Sequence, residues 1–248
     1  MNQSFYIGAV GAQQQLKRLN VHADNIANVN TTGFKANRAD FSALIYRDRQ
    51  GVEEELPMGV GTKLLMTATD FSSGGVADTG RSLDYMIEGD GFFALVDLAT
   101  GEVSYTRNGA FYMAEHLQPS EDEVDENGEP VMESVYCLSD GKGRFVLSQM
   151  GGLIEVEDAT QMLPIGIFDY SNYNGMTQID GTRYLPVEKN GGLWFGTGKL
   201  VQGVLEMSNA DLADEITKVI ESQRAYGMAL KMVQTSDEIE TTINGLRN

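Results

Sequence analysis

The C-terminal stretch, residues 208–246, constrains this chain more than any other. Between Leu212 and Val233 its larger side chains fall at Leu212, Ile216, Val219, Gln223, Tyr226, Leu230 and Val233, in alternating steps of four and three. That is the spacing by which a helix offers one stripe to a partner helix. Past Leu230 the stripe drifts through Met232, Ser236, Ile239, Ile243 and Leu246, so the apolar face rotates and calls for more than one neighbour. Ser208 or Asn209 is the expected N-cap, with Asp211, Asp214 and Glu215 supplying negative charge in the first turns, which predicts a helix from about Ala210. Such a helix runs on the order of 55 Å, longer than a compact domain needs.

The N-terminus supplies a partner. Ala9, Ala12, Leu16, Leu19, Ala23 and Ile26 form a second narrow stripe in which small residues alternate with large ones, a coiled-coil pattern. Gly8 and Gly11 each cost a helix roughly 1 kcal/mol against Ala, and in return permit close approach by another backbone. Asn25 and Asn28 lie in the last turns, where Asn tends to bond local backbone. Asn30, Thr31, Thr32 and Gly33 then form a turn, with Gly33 placed for a left-handed conformation.

Between the helices the signals are those of an antiparallel β domain. Residues 37–65 read as extended or irregular chain, with Ala39, Phe41, Leu44 and Ile45 in a short amphipathic segment, and residues 60–69 have strand character. Short β-rich runs follow at 85–87, 92–96, 103–106, 135–138, 145–147 and 153–156. Asn108-Gly109, Asn127-Gly128, Asp140-Gly141, Asn174-Gly175, Asp180-Gly181 and Asn190-Gly191 are candidates for type I′ hairpin turns. So many tight turns exclude a parallel sheet and predict a sandwich or irregular barrel. The expected organisation is an N-terminal helix (1–35), an extended linker (36–80), a β-rich middle domain (81–202) and a C-terminal helix (203–248). The fold class is mainly β with terminal α-helices that form a coiled coil from the two chain ends.

Charge and composition exclude several functions. With 36 Asp and Glu against 18 Lys and Arg the formal net charge is −18, which argues against nucleic acid and anionic membranes, whose affinity comes from Lys and Arg. The acidic run from Glu121 to Glu129 reads as a solvated loop. The single cysteine, Cys137, cannot form an internal disulfide and sits in an apolar run, as a buried structural thiol does. No run of about 18 apolar residues offers a membrane span, and the residues after Met1 lack the positive start of a secretory signal.

Catalytic and metal constellations fail the same inspection. His22 and His116 are the only histidines and read as solvated, so neither zinc spacing nor a Cys-His nucleophile is available. Gly196-Thr197-Gly198-Lys199 resembles a phosphate-binding loop, but Leu193 and Leu200 stand where Gly and Ser or Thr are required. Residues 123–128 imitate the start of a calcium loop, yet Ser134 replaces its bidentate acid. Trp194 reads as a partly buried aromatic between strands. No cofactor, metal or catalytic residue is expected, and an enzyme is not.

Four motifs in order resemble one family. Residues 23–35 (ADNIANVNTTGFK) resemble the N-terminal signature of bacterial flagellar rod and hook proteins, and residues 203–212 (GVLEMSNADL) with 223–226 (QRAY) resemble their C-terminal signature. Residues 88–93 (EGDGFF) and 105–111 (YTRNGAF) are similar to two motifs of the basal-body rod members. The resemblance implies a structural subunit that polymerises into the hollow shaft carrying torque from motor to hook. The extension near residues 53–65 points to the distal type, with the proximal rod type and other axial proteins as alternatives. It implies as partners further copies of the chain, the proximal rod and hook proteins, the P- and L-ring bushing and the flagellar type III export apparatus. It implies a place in the extracytoplasmic basal body, reached without a cleaved signal, and neither nucleic acid nor membrane insertion. The expected assembly residues are the two stripes, together with Asn25, Asn28, Gly33 and Phe34 packed against neighbouring subunits. Outside this family, the competing reading is a secreted β-rich adhesin or glycan-binding module whose helices make a homodimer.

Overall fold

The computed structural model of the chain describes residues 3–43, 47–48, 57–58, 62–124 and 130–246. It divides into two compact units, one of Met1–Val29, Ala36–Asp70 and Ala210–Asn248, the other of Asn30–Lys35 and Phe71–Asn209. Leu44, Ile45, most of the polar stretch at 48–55, Gly59, Gly61 and the tip of the acidic run, including Asn127-Gly128, lie outside the described residues.

The first unit holds α1 (Gln3–Ala27) and α2 (Leu212–Gly245), which pack on each other. It also holds an antiparallel ribbon of Asn37–Ala43 with Thr62–Thr69, bulged between Asp40 and Phe41 and continued by Arg47–Asp48 with Pro57–Met58. The stretch expected to be extended or irregular thus pairs with itself. The N-cap of α2 is Asp211, whose Oδ1 accepts from the amides of Ala213 (2.8 Å) and Asp214 (3.1 Å), and not Ser208 or Asn209. Asn209 is committed elsewhere, its Nδ2 donating to the Ser72 carbonyl at 3.1 Å.

The second unit is built on an antiparallel sheet of nine strands among the described residues. Its main path runs Thr177–Ile179, Arg183–Leu185, Val103–Thr106, Phe92–Asp97, Arg144–Val146, Pro130–Ser139, Tyr112–Val124, while Ile167–Tyr170 bridges Phe92–Asp97 to Leu193–Phe195. Phe92–Asp97 is buried on both faces, because alternate side chains point opposite ways. Phe93 and Leu95 enter a cluster with Tyr85, Ile87, Phe111, Leu138 and Val146; Phe92 and Ala94 join Tyr105, Phe168, Tyr170 and Tyr184. Two cores share one strand, which is why that strand reads as a continuous apolar run.

Several local expectations need correction. A type I′ turn requires positive φ at both central residues, and among the described residues only Asp180 (φ 51°), followed by Gly181 (75°), satisfies it. At Asn108-Gly109 the glycine serves close packing instead, since a Cβ there would lie 1.7 Å from the Tyr85 carbonyl oxygen. Residues 153–156 contribute only isolated bridges, Leu147 to Leu153 and Cys137 to Glu155. Acidic residues 121–124 continue the strand Tyr112–Val124, because Gln118 and its neighbours pair in register with Pro130–Ser139; a loop was expected. His116 lies half-buried on that same strand, its ring 5.4 Å from that of Phe145. Trp194 is well exposed, because Leu193–Phe195 is paired only with Ile167–Tyr170.

Cys137 is fully buried, and burial together with the Glu155 carboxylate pushes its thiol pKa up, so the reactive thiolate is scarce at neutral pH. The native protein is therefore expected to be inert to a thiol-titrating reagent at pH 7 and to react with one equivalent once denatured; rapid labelling of the native state would contradict the packing described.

Candidate assembly interface

α1 and α2 run antiparallel, as four contacts along their length show. A Cβ on Gly8 would lie 2.9 Å from Val233 Cγ2 and 3.2 Å from the Ala229 carbonyl oxygen, and one on Gly11 would touch Ala229 Cβ at 3.9 Å. Further along, Arg18 faces Glu221 at 3.9 Å, and His22 Nδ1 stands 2.6 Å from Glu215 Oε2. The helices approach closely at the Gly8 end and are fastened by a buried pair at the other.

The buried and half-buried positions define the seam. On α1 they include Gly8, Ala12, Gln15, Leu19, His22 and Ile26; on α2 they include Glu215, Val219, Ser222, Tyr226, Ala229, Val233 and Ser236. Half of the stripe read from the sequence coincides with this seam: Ala12, Leu19 and Ile26 on α1, Val219, Tyr226 and Val233 on α2. Six more positions are displaced by one residue, three in each helix, and Leu212 is exposed between exposed neighbours. Gly8 lies inside rather than Ala9, Gln15 rather than Leu16 and His22 rather than Ala23; Glu215 rather than Ile216, Ser222 rather than Gln223 and Ala229 rather than Leu230. At five of these six places apolar periodicity selects the larger of two neighbours, the exception being Ala23 beside His22, whereas the seam takes a small residue at Gly8, Ser222 and Ala229 and a polar pair at His22 and Glu215.

That pair is His22 with Glu215, both side chains being almost fully buried. With Glu215 ionised, Nδ1 of His22 carries the hydrogen and donates to Oε2. The second carboxylate oxygen accepts from Lys218 Nζ at 3.3 Å, and Asp214, 2.6 Å from that ammonium, is the main cause of the raised Lys218 pKa. His22 is therefore not the solvated histidine expected. The seam also hides polar atoms, His22 Nε2, Gln15 Oε1 and Ser236 Oγ, that have no hydrogen-bond partner among the described residues, so polar burial there is costly.

The displaced large side chains face outward. Leu16 is 46% and Ile216 45% exposed, with Leu212, Ile220 and Leu230 exposed beside them, and Ala9, Ala23 and Gln223 are exposed too. From residue 237 to 246 every side chain of α2 is exposed, and Ile239, Ile243 and Leu246, the last 83% exposed, continue the apolar series. With 34 residues against 25 in α1, α2 outruns its partner.

The signature residues take a different place from the one expected. Phe34 and Asn25 are fully buried and Gly33 is buried, so their side chains have no surface to offer a neighbouring subunit. Asn25 bonds the distant Asn37 backbone rather than local groups, donating from Nδ2 to its carbonyl and accepting its amide at Oδ1, both at 2.8 Å. This fixes the start of the ribbon against α1. Asn28 is half-buried and donates to the Asp24 carbonyl at 2.9 Å, satisfying the helix end. Gly33 has φ +67°, and a Cβ on it would lie 2.3 Å from the Asn108 nitrogen.

Comparison with known proteins follows the same layout. Residues 5–35 match the family model described as flagella basal body rod protein, 86–166 the flagellar hook protein FlgE/F/G D1 domain, and 201–246 the flagellar basal body rod FlgEFG protein C-terminal. The chain is 31% identical to the flagellar basal-body rod protein FlgG of Borreliella burgdorferi, over 100% of this chain and 99% of the relative. It is 31% identical to FlgG of Bacillus subtilis over 96% and 97%, and 29% identical to FlgF of Caulobacter vibrioides over 96% and 95%.

Glu215→Ala strands His22 and is expected to weaken the helix pair by about 3 kcal/mol, read as loss of helical circular dichroism at lower denaturant while the sheet's signal persists. Gly33→Ala is expected to cost about 2 kcal/mol or more in the second unit, checked by chemical denaturation.

Proposed function

Since the chain belongs to the flagellar basal-body rod protein family, we propose that it is a structural subunit of the distal rod and that the outward flank of its helix pair is the surface on which further copies assemble. One observation carries this reading: Leu16 on α1 and Leu212, Ile216, Ile220, Leu230, Ile239 and Ile243 on α2 are large apolar side chains left exposed beside the seam and past its end, which marks an interaction surface. Burying several such side chains offsets the ordering cost of helices that are weak alone, so rigidity arrives with assembly. Contacts that repeat head to tail without closing generate a helical tube. Val219, Tyr226, Val233, Ala12, Leu19 and Ile26 then hold each subunit's own pair together, and the exposed set joins pairs between subunits.

In this reading the tube transmits torque mechanically. The partners are other copies, the proximal rod and hook proteins and the bushing rings, and the subunit reaches the extracytoplasmic basal body through the flagellar export apparatus. The ribbon within residues 36–70 favours the distal over the proximal type. A secreted β-rich binding module stays the competing reading, and truncation separates the two: removal of residues 212–248 leaves ligand affinity intact in a binding module but abolishes polymerisation of a rod subunit.

Ile216→Asp and Leu230→Asp are expected to abolish motility and rod assembly while denaturation of the β unit stays within about 0.5 kcal/mol of the unmodified protein. The comparison substitution Ser222→Asp, on the buried seam, should instead disrupt the helix pair itself. Normal rods in the Ile216→Asp strain would exclude the outward flank as the contact surface.

A further inference from the structure

Three stretches far apart in the chain meet at one buried ionic cluster in the second unit. Lys35 Nζ lies 2.7 Å from Glu206 Oε1 and donates also to the Ser72 carbonyl at 2.7 Å. Arg107 Nη1 approaches Glu206 Oε2 at 3.5 Å, and its Nη2 donates to the Gly89 carbonyl at 2.8 Å while the guanidinium lies 5.5 Å from the Phe92 ring centroid. All three charged side chains are between 0% and 3% exposed. Two cations thus share one carboxylate in a buried site, an arrangement weakened if that carboxylate leaves.

Glu206 is the hub by backbone as well. Its carbonyl accepts the Gly33 amide at 2.8 Å, its carboxylate accepts the Gly74 amide at 3.0 Å, and the next amide, Met207, donates to the Gly75 carbonyl at 2.7 Å. Glycines are required where these segments touch: a Cβ on Gly33 would meet the Arg107–Asn108 backbone, and one on Gly74 would lie 2.0 Å from the Met207 carbonyl oxygen. Lys35 follows α1, which ends at Ala27, and Glu206 precedes α2, which begins at Leu212. The segments that lead into both helices are therefore tied to one carboxylate.

We propose that Lys35, Arg107 and Glu206 form a latch that seats both chain-end segments, residues 30–35 and 204–207, together with residues 72–75, so that they dock and release as one cooperative element while the sheet around Phe92–Asp97 stays closed. Neither chain end leaves without cost to the other: withdrawal of the Lys35 segment takes its ammonium from Glu206, and withdrawal of Glu206 takes from two buried cations the carboxylate they share. The latch is a conformational device of this chain and stands whether or not the outward helix flank is the assembly surface.

Native-state hydrogen exchange on the full chain tests it. In the unmodified protein the amides of Gly33, Gly74 and Met207 should open with one shared free energy and one shared denaturant dependence, both smaller than those of amides in Phe92–Asp97. Different values for Gly33 and Met207, or opening only together with the sheet, would overturn the latch. Lys35→Met should then raise exchange at all three amides by about 100-fold while Phe92–Asp97 is unchanged, and Glu206→Gln should do the same. Acceleration confined to Gly33 in Lys35→Met would show that the segments are independent. If either variant fails to fold, the shared opening in the unmodified protein decides the matter.

Discussion

The organisation of the helical unit follows from how closely α1 and α2 approach. Gly8 against Val233 and Ala229 leaves no room for a larger side chain, and at the other end of α1 the gap is closed by a buried His22–Glu215 contact of 2.6 Å. A seam of Gly8, Ala12, Ser222, Ala229, Ser236 and the His22–Glu215 contact, in which Leu19, Ile26, Val219, Tyr226 and Val233 are only half-buried, buries a limited apolar surface, so its hydrophobic stabilisation is limited too. Large apolar residues stand one position away, on the flank. The pair is specified by geometry and polar matching, and several of its large side chains, Leu16, Ile216 and Leu230 among them, stay exposed.

The β unit obeys the opposite logic. Phe92–Asp97 is sandwiched between two aromatic-rich clusters, and its stability is of the ordinary hydrophobic kind. Its charged exception is the Lys35–Glu206–Arg107 cluster, where segments adjoining both helices are held by hydrogen bonds and ion pairs with almost no exposure. Buried charge of this kind is weak evidence for stability, because the cost of removing three charged groups from water offsets much of their attraction.

How much of this was legible in the sequence depends on range. Local signals were read well: both helices, the strands at 85–88, 92–97 and 103–106, the buried thiol and the antiparallel character all follow from periodicity and residue type over short windows. The motifs at both chain ends carried the family. The seam was read half right, because counting apolar residues finds a stripe but ranks Leu16 above Gln15 and Ile216 above Glu215. That ranking assumes the partner helix wants bulk. Asn25 and Gly33 were marked as special, but the groups they serve, the Asn37 backbone and the Arg107–Asn108 backbone, lie many residues away and leave no local trace.

The sequence by itself determined the two terminal helices, the strands at 85–88, 92–97 and 103–106, the antiparallel character of the sheet and that the ends of the chain pair, since these depend on steric preference and on a period set by the backbone. Only the tertiary structure decided which side of each helix is spent inside the molecule. It also decided that Lys35, Arg107 and Glu206 share one buried site. The reason is that a charge or a glycine has no preferred neighbour in sequence: its meaning comes from what the folded chain places within about 3 Å of it.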